Sequence, residues 1–139
     1  MKKFSIIMPF YNNWPLTHQR MMELFNHIQE ELEIILVDDC STNDVSGPMG
    51  WWKTQSKHRV ICIKTPKNLG FGGAMNFGAK RATEDILVFL SNDVVISGIY
   101  SLPGISFANF SIKFASGVLQ RGQPKSYLTT CISVSVITY

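Results

Sequence analysis

The chain has 139 residues, 45% hydrophobic and 17% charged, which is the length of one domain with enough apolar material for a core and excludes a disordered or fibrous polypeptide. Cys40, Cys62 and Cys131 lie far apart with no CxxC or Cys/His spacing, so neither a disulfide scaffold nor a zinc module is expected. The formal charge of +3 resides wholly after residue 93, where Lys113, Arg121 and Lys125 stand without an acid; three isolated cations do not make a phosphate-tracking stripe, and no nucleic-acid partner is expected.

Met1-Lys2-Lys3 leads directly into the apolar run Phe4–Met8, which Pro9 is expected to close before it can serve as a signal peptide, so the chain is expected to be cytoplasmic. Leu16, Met21, Leu24, Phe25 and Ile28 fall near helical spacing and predict a helix over 16–31. Glu33–Val37 is a second strand, rich in β-branched residues, ending at Asp38-Asp39. The helical stretch over 44–57 is interrupted at its start by Gly47, Pro48 and Gly50, with Ser41 and Asn43 as candidate caps. Arg59–Ile63 is the third strand, within which Cys62 reads as a buried free thiol. Gly72–Ala82 is the next helix, carrying Ala74, Met75, Phe77, Gly78 and Ala82, and Asp85–Leu90 is the fourth strand. Strands that are apolar throughout belong in a sheet covered on both faces, so the βαβα order predicts an α/β, doubly wound, mostly parallel sheet flanked by helices.

The texture changes near Asp93: eight serines and repeated Gly and Pro breaks follow, without a sustained helical or alternating pattern until about Tyr127. Residues 94–112 carry no charge over 19 positions, the length of a membrane span, yet Gly98, Pro103, Gly104, Asn109 and four serines argue against one.

In a parallel sheet all four strand ends share one rim, the place where ligands of doubly wound folds bind. Pro9-Phe10-Tyr11-Asn12-Asn13 follows the first strand, Asp38-Asp39-Cys40-Ser41-Thr42 the second, Asn68-Leu69-Gly70-Phe71-Gly72-Gly73 the third and Ser91-Asn92-Asp93 the fourth. An Asp-Asp pair taken alone is as readily a helix cap with a solvated neighbour. Together the clusters offer aromatic and amide groups for a base, carboxylates for its ring, a Gly-rich turn that admits a ligand to the backbone, and Asp93 as a hard oxygen donor. Mg or Mn reaches such sites through one or two carboxylates plus substrate phosphates, so the set suits a nucleotide diphosphate.

These blocks, Ser5–Asn12, Ile35–Thr42, Asn68–Asn76 and Phe89–Asp93, resemble the successive motifs of family 2 glycosyltransferases of the GT-A fold over about residues 3–97. The resemblance implies an N-terminal nucleotide-sugar-binding α/β half-domain over 1–97, followed by an atypical, truncated or diverged acceptor half over 98–139, so that the GT-A-like fold is incomplete on its C-terminal side. It implies that Pro9 and Tyr11, with Asn12 beside them, line a base pocket and that Asp39 together with Asp38 accepts from the base. Asn68, Gly70, Gly72 and Gly73 then approach the donor, Ser91 and Asn92 stand beside it, and Asp93 meets Mg or Mn as the last acid of the family's Asp-x-Asp. Ser91 replaces the first acid of that motif and offers a ribose a hydroxyl without a charge. A UDP- or dTDP-linked sugar as donor, a glycan or lipid-linked acceptor, and peripheral association with the cytoplasmic membrane face follow from the same resemblance. Its general base is not found: no Asp or Glu follows Asp93, and His18, His27 and His58 all precede it and read as surface residues.

Three other readings compete. Gly70-x-Gly72-Gly73 is not a dinucleotide fingerprint, because Met75 takes the third glycine's place and the turn follows the third strand. A receiver-like phosphoacceptor domain also groups an acidic pair with a third Asp, but there the pair follows the first strand. A non-catalytic nucleotide-sugar-binding fragment fits the same residues. Trp14, Trp51 and Trp52 are either packing or a ligand platform.

Overall fold

The computed structural model describes residues 4–55, 57–84, 86–93 and 118–120; the uncharged segment 94–112 and the boundary at residue 97 lie outside them. The elements are β1 (Phe4–Phe10), α1 (Trp14–His27), β2 (Glu33–Asp38), α2 (Ser46–Lys53), β3 (Arg59–Lys64), α3 (Gly70–Ala79), β4 (Ile86–Phe89) and β5 (Val118–Gln120). They build one sheet in the order β3-β2-β1-β4-β5, parallel except for β5, which pairs antiparallel with β4. The α/β, mostly parallel architecture is thus the one the apolar runs call for. A strand after residue 97 was not foreseen, because three residues between Gly117 and Gly122 carry no periodic signal. No described helix is long and apolar enough to cross a membrane.

Pro9 does not close β1, which continues to Phe10. The Ile7 carbonyl accepts from the Leu90 N–H at 3.0 Å and the Phe10 carbonyl from the Asp39 N–H at 2.8 Å. Polar groups alternate sides along a strand, so residue 9 faces β4, and the ladder with β4 ends at Ile7↔Phe89. The N–H that proline lacks would lie on the β4 side, so the pairing with β2, which runs to Phe10↔Asp38, continues past it.

The helices are shorter than predicted. In α1 Pro15 occupies the first turn, where its missing N–H costs nothing, so the helix starts at Trp14; Ile28 turns extended (φ −100°, ψ 124°) and buries its side chain, ending the helix before Glu31. Neither Ser41 nor Asn43 caps α2. Asp44 Oδ1 accepts from the Ser46 N–H at 2.9 Å, and Thr54 Oγ1 closes the last turn by donating to the Trp51 carbonyl at 2.7 Å.

Alternation along the strands divides the core between two faces. Ile6, Met8, Phe10, Ile34 and Leu36 pack against Met21 and Leu24 of α1 and Met49 and Trp52 of α2. Ile7, Ile35, Val37 and Phe89 meet Ala74 and Met75 of α3. Gly78 lets α3 approach, since a Cβ there would lie 2.6 Å from Ile7 Cγ2 and 2.7 Å from Val37 Cγ2. At the amino ends of the strands the buried Glu33 carboxylate gathers Ser5 Oγ (2.7 Å), the Thr83 N–H (2.8 Å) and hydroxyl (2.6 Å), and Arg59 (2.7 Å), locking β1, β2, β3 and the approach to β4.

His58 is not a surface residue. It is buried, edge-on to Phe25 at 4.5 Å, and its Nδ1 accepts from the Leu32 N–H at 3.3 Å. Burial, the largest influence, holds its pKa below the ordinary 6.5. The adjacent tryptophans divide: Trp52 is buried against Phe25 at 4.8 Å, whereas Trp51 stays half exposed beside it. Trp14 packs edge-on to Phe10 at 5.5 Å.

Candidate functional site

Phe10, Asp38 and Lys64 lie abreast at the carboxyl ends of β1, β2 and β3, which sets the level of the rim. Tyr11, one residue past β1, is 47% exposed on it, while Pro9 is buried within the strand. Asn12 adopts a left-handed backbone (φ 56°), a conformation asparagine tolerates better than most residues. Its N–H donates to Ser41 Oγ at 2.9 Å, and its Oδ1 accepts from the Thr42 N–H at 2.8 Å and hydroxyl at 3.0 Å. Asn12 therefore staples the loop after β1 to the loop after β2, which leaves its amide nitrogen as the part facing other groups.

The acidic pair divides between the two faces of the sheet, Asp38 as the last residue of β2 and Asp39 continuing its alternation one residue beyond. Asp38 faces α2: its Oδ1 accepts from the Ser41 N–H at 2.7 Å, and its Oδ2 lies 3.3 Å from Lys64 Nζ, which also donates to the Ser41 carbonyl at 3.1 Å. Asp39 faces α3: its Oδ1 accepts from Thr65 Oγ1 and from the Leu69 N–H, both at 2.9 Å. Both carboxylates are buried. Among the described residues no group donates to Asp39 Oδ2. Asp38 thus secures the turn into the second loop, and Asp39 secures the start of α3 while retaining an acceptor oxygen.

A cleft of about 190 Å³ opens beside Asp38, lined by Met49, Gly50 and Lys53 of α2 and by Cys62, Ile63 and Lys64 of β3. None of Pro9, Tyr11, Asp39 or the 68–73 turn lines it. Cys62 is the partly buried free thiol expected; its Sγ–H points to the Met49 carbonyl at 3.3 Å, and burial pushes its pKa up to about 11, so it stays protonated.

In the Gly-rich turn, Asn68 Oδ1 accepts from the Gly70 N–H at 3.0 Å, and Gly70 takes φ +70°, a conformation glycine adopts without strain. Gly72 has nothing within 4 Å of where a Cβ would stand and leaves the rim open, whereas Gly73 is already crowded, its Cβ position 2.7 Å from Leu69 Cβ. Gly70 and Gly72 therefore both leave a ligand room to approach, and Gly73 does not.

Ser91-Asn92-Asp93 follows β4 at the same rim. Ser91 and Asn92 are partly buried and Asp93 is exposed. Asn92 Nδ2 donates to Thr17 Oγ1 at 3.0 Å, and its carbonyl accepts from Arg20 Nε at 3.2 Å. Among the described residues no cluster of three or more His, Cys, Asp or Glu could enclose a metal ion. Asp93 is accordingly a single hard donor, which fits a cation that draws its remaining oxygens from a diphosphate and does not fit one held by protein alone. Thr17, Arg20, Lys64 and Thr65, which hold the rim together, went unmarked in the sequence because each is an ordinary helix, strand or loop residue until the fold brings its partner near.

The model of the family described as "Glycosyl transferase family 2" matches residues 5–105. A glycosyltransferase of Haemophilus influenzae, itself uncharacterized, is 34% identical over 97 residues, 70% of this chain and 38% of its own length. The poly(ribitol-phosphate) beta-glucosyltransferase of Bacillus spizizenii is 28% identical over 131 residues, 89% of this chain and 21% of its own. The crystal structure of Staphylococcus aureus TarS 1-349 in complex with UDP-GlcNAc superposes with a TM-score of 0.58 at 26% identity, over 66% of this chain and 26% of that one. The chain thus spans well under half the length of these relatives.

Proposed function

Because the chain belongs to glycosyltransferase family 2, we propose that its rim binds a nucleotide-diphosphate sugar, UDP- or dTDP-linked, for transfer of the sugar to a hydroxyl of a glycan or lipid-linked acceptor. The observation that carries the reading is Asp39, a buried carboxylate at the end of β2 with one oxygen committed to Thr65 and Leu69 and the other without a donor among the described residues. That second oxygen is not sealed from solvent, so a ligand can reach it, and the ring N–H of uracil or thymine is a donor of matching kind. Tyr11, exposed on the same rim, has an aromatic face available for stacking, and Gly70 and Gly72 leave the backbone approachable. The UDP-GlcNAc complex of the similar TarS structure supports the same donor class.

Asp93 would hold Mg or Mn jointly with the diphosphate, and the ion would supply charge neutralisation to the departing diphosphate as the sugar leaves. The domain division at residue 97 belongs to the same proposal; of the later residues, 118–120 form β5, which pairs with β4 in the same sheet. A second reading, binding without efficient turnover by residues 1–139 themselves, is favoured by one fact of the sequence: residues 94–139 contain no Asp or Glu to deprotonate an acceptor.

Calorimetry with UDP, dTDP, GDP and NAD in manganese tests the binding claim: UDP or dTDP should bind well ahead of NAD, and equal or stronger NAD binding contradicts it. Product analysis with UDP-sugars and glycan acceptors then separates the two readings. Turnover near about 10 per second, a usual enzyme value, would exclude binding alone.

A further inference from the structure

Arg20 is 2% exposed, in the middle of α1, whose other buried residues are Thr17 and the apolar Met21 and Leu24. Burying a guanidinium is expensive and is offset only by full pairing, so its partners indicate what it is for. One is Glu23, in an ion pair with NH1; the other is the Asn92 carbonyl, which accepts from Nε at 3.2 Å. One turn earlier on the same side of α1, the buried Thr17 accepts from Asn92 Nδ2 at 3.0 Å and donates to the Asn13 carbonyl at 3.0 Å. Asn92 is thereby held at two points, side chain and backbone, by a helix more than seventy positions away.

The backbone point matters more. The Asn92 carbonyl belongs to the peptide group that joins Asn92 to Asp93, and that group is planar, so fixing its oxygen fixes the direction in which the Asp93 backbone departs. Asp93 itself is exposed, and no hydrogen bond or ion pair holds its carboxylate among the described residues. We propose that Arg20, seconded by Thr17, is a positioning residue that aims Asp93 at the diphosphate-bound cation. The inference rests on the nucleotide-diphosphate reading above and adds to it the device that keeps a single, exposed carboxylate aimed.

The test measures manganese binding to the UDP-loaded 139-residue chain by electron paramagnetic resonance of the free ion, together with UDP affinity by calorimetry in the absence of metal. Arg20→Ala should weaken manganese binding about tenfold, the loss of one charge-assisted hydrogen bond, while metal-free UDP affinity stays within about twofold. Arg20→Lys, whose ammonium retains a donor for the Asn92 carbonyl, should recover part of the loss. Unchanged manganese affinity in folded Arg20→Ala overturns the proposal, and so does a parallel fall in metal-free UDP affinity, which would make Arg20 a residue of the fold alone. If Arg20→Ala does not fold, Thr17→Val, which removes the acceptor for Asn92 Nδ2 at constant volume, is judged by the same two criteria. An unsubstituted chain that binds UDP with no manganese enhancement overturns the metal reading and this proposal together, and the order of measurement distinguishes that outcome from a failure of Arg20 alone.

Discussion

Asp39 Oδ1 accepts from the Leu69 N–H at 2.9 Å and so ties the end of β2 to the residue from which α3 starts. The same carboxylate is proposed to meet the base through its other oxygen, so two substitutions separate the roles. Asp39→Asn keeps an oxygen for Thr65 and Leu69 but presents an amide donor to the ring N–H; UDP affinity should fall about 10- to 100-fold with the unfolding midpoint nearly unchanged. Asp39→Ala should lower both, since the buried Thr65 and the partly buried Leu69 donors lose their acceptor at about 1–3 kcal/mol. Asn at wild-type affinity removes Asp39 from the base pocket.

Gly72 and Gly78 make opposite predictions two turns apart on α3. Gly78→Ala places a methyl against Ile7 and Val37 and should destabilise by about 1–3 kcal/mol through overpacking. Gly72→Ala meets open space and should leave stability equal or higher by up to about 1 kcal/mol, because alanine favours the helix. The functional reading requires that it nevertheless weaken UDP binding. Chemical denaturation and calorimetry on both variants check the pair, and a Gly72→Ala chain that binds UDP normally argues that no ligand passes there.

Glu33 sets the acid limit of the fold. Burial alone would raise its pKa, but hydrogen bonds from the Thr83 side chain and N–H and from Ser5, with the charge of Arg59, outweigh it and hold the carboxyl below its ordinary 4.5. The unfolded chain therefore takes up this proton before the folded one, so the stabilisation is complete above about pH 4.5 and is lost as pH falls through the folded value. His58 adds an earlier window: with its folded pKa below 6.5, the unfolded chain protonates first there too, and stability declines as pH drops from about 6.5. Urea midpoints measured from pH 8 to 3 should fall in two stages. Glu33→Gln should remove the second and His58→Gln the first, and a midpoint that is flat in pH contradicts both assignments.

The fold was legible where physical chemistry leaves a one-dimensional trace. Runs such as Ile34–Val37 are apolar on successive residues because α1 and α2 cover one face and α3 the other, and that requirement is visible without coordinates. Pro9 misled because its missing N–H lies on one side of the strand only, and the pairing with β2 on the other side carries β1 on to Phe10. His58 misled because its burial comes from Phe25, thirty-three positions earlier, which no local pattern records. At the rim the strand-end clusters named the neighbourhood, but not the division of labour within it: only the alternation of β2 sends Asp38 toward Lys64 and Asp39 toward Leu69. The link from Arg20 to the rim left no trace, since that partner is the backbone of Asn92, seventy-two positions on, and only the pairing with Glu23 is local.

Calorimetric titration of UDP into the unsubstituted chain and into Asp93→Ala, each with and without manganese, tests most directly that this rim binds a nucleotide diphosphate with a cation. Manganese should raise UDP affinity in the unsubstituted chain and have no effect on Asp93→Ala, whose circular dichroism should be unchanged because the Asp93 side chain is exposed. No UDP heat from the unsubstituted chain at about millimolar concentration, the weakest binding of interest here at roughly −4 kcal/mol, or the same manganese enhancement in both chains, would contradict it.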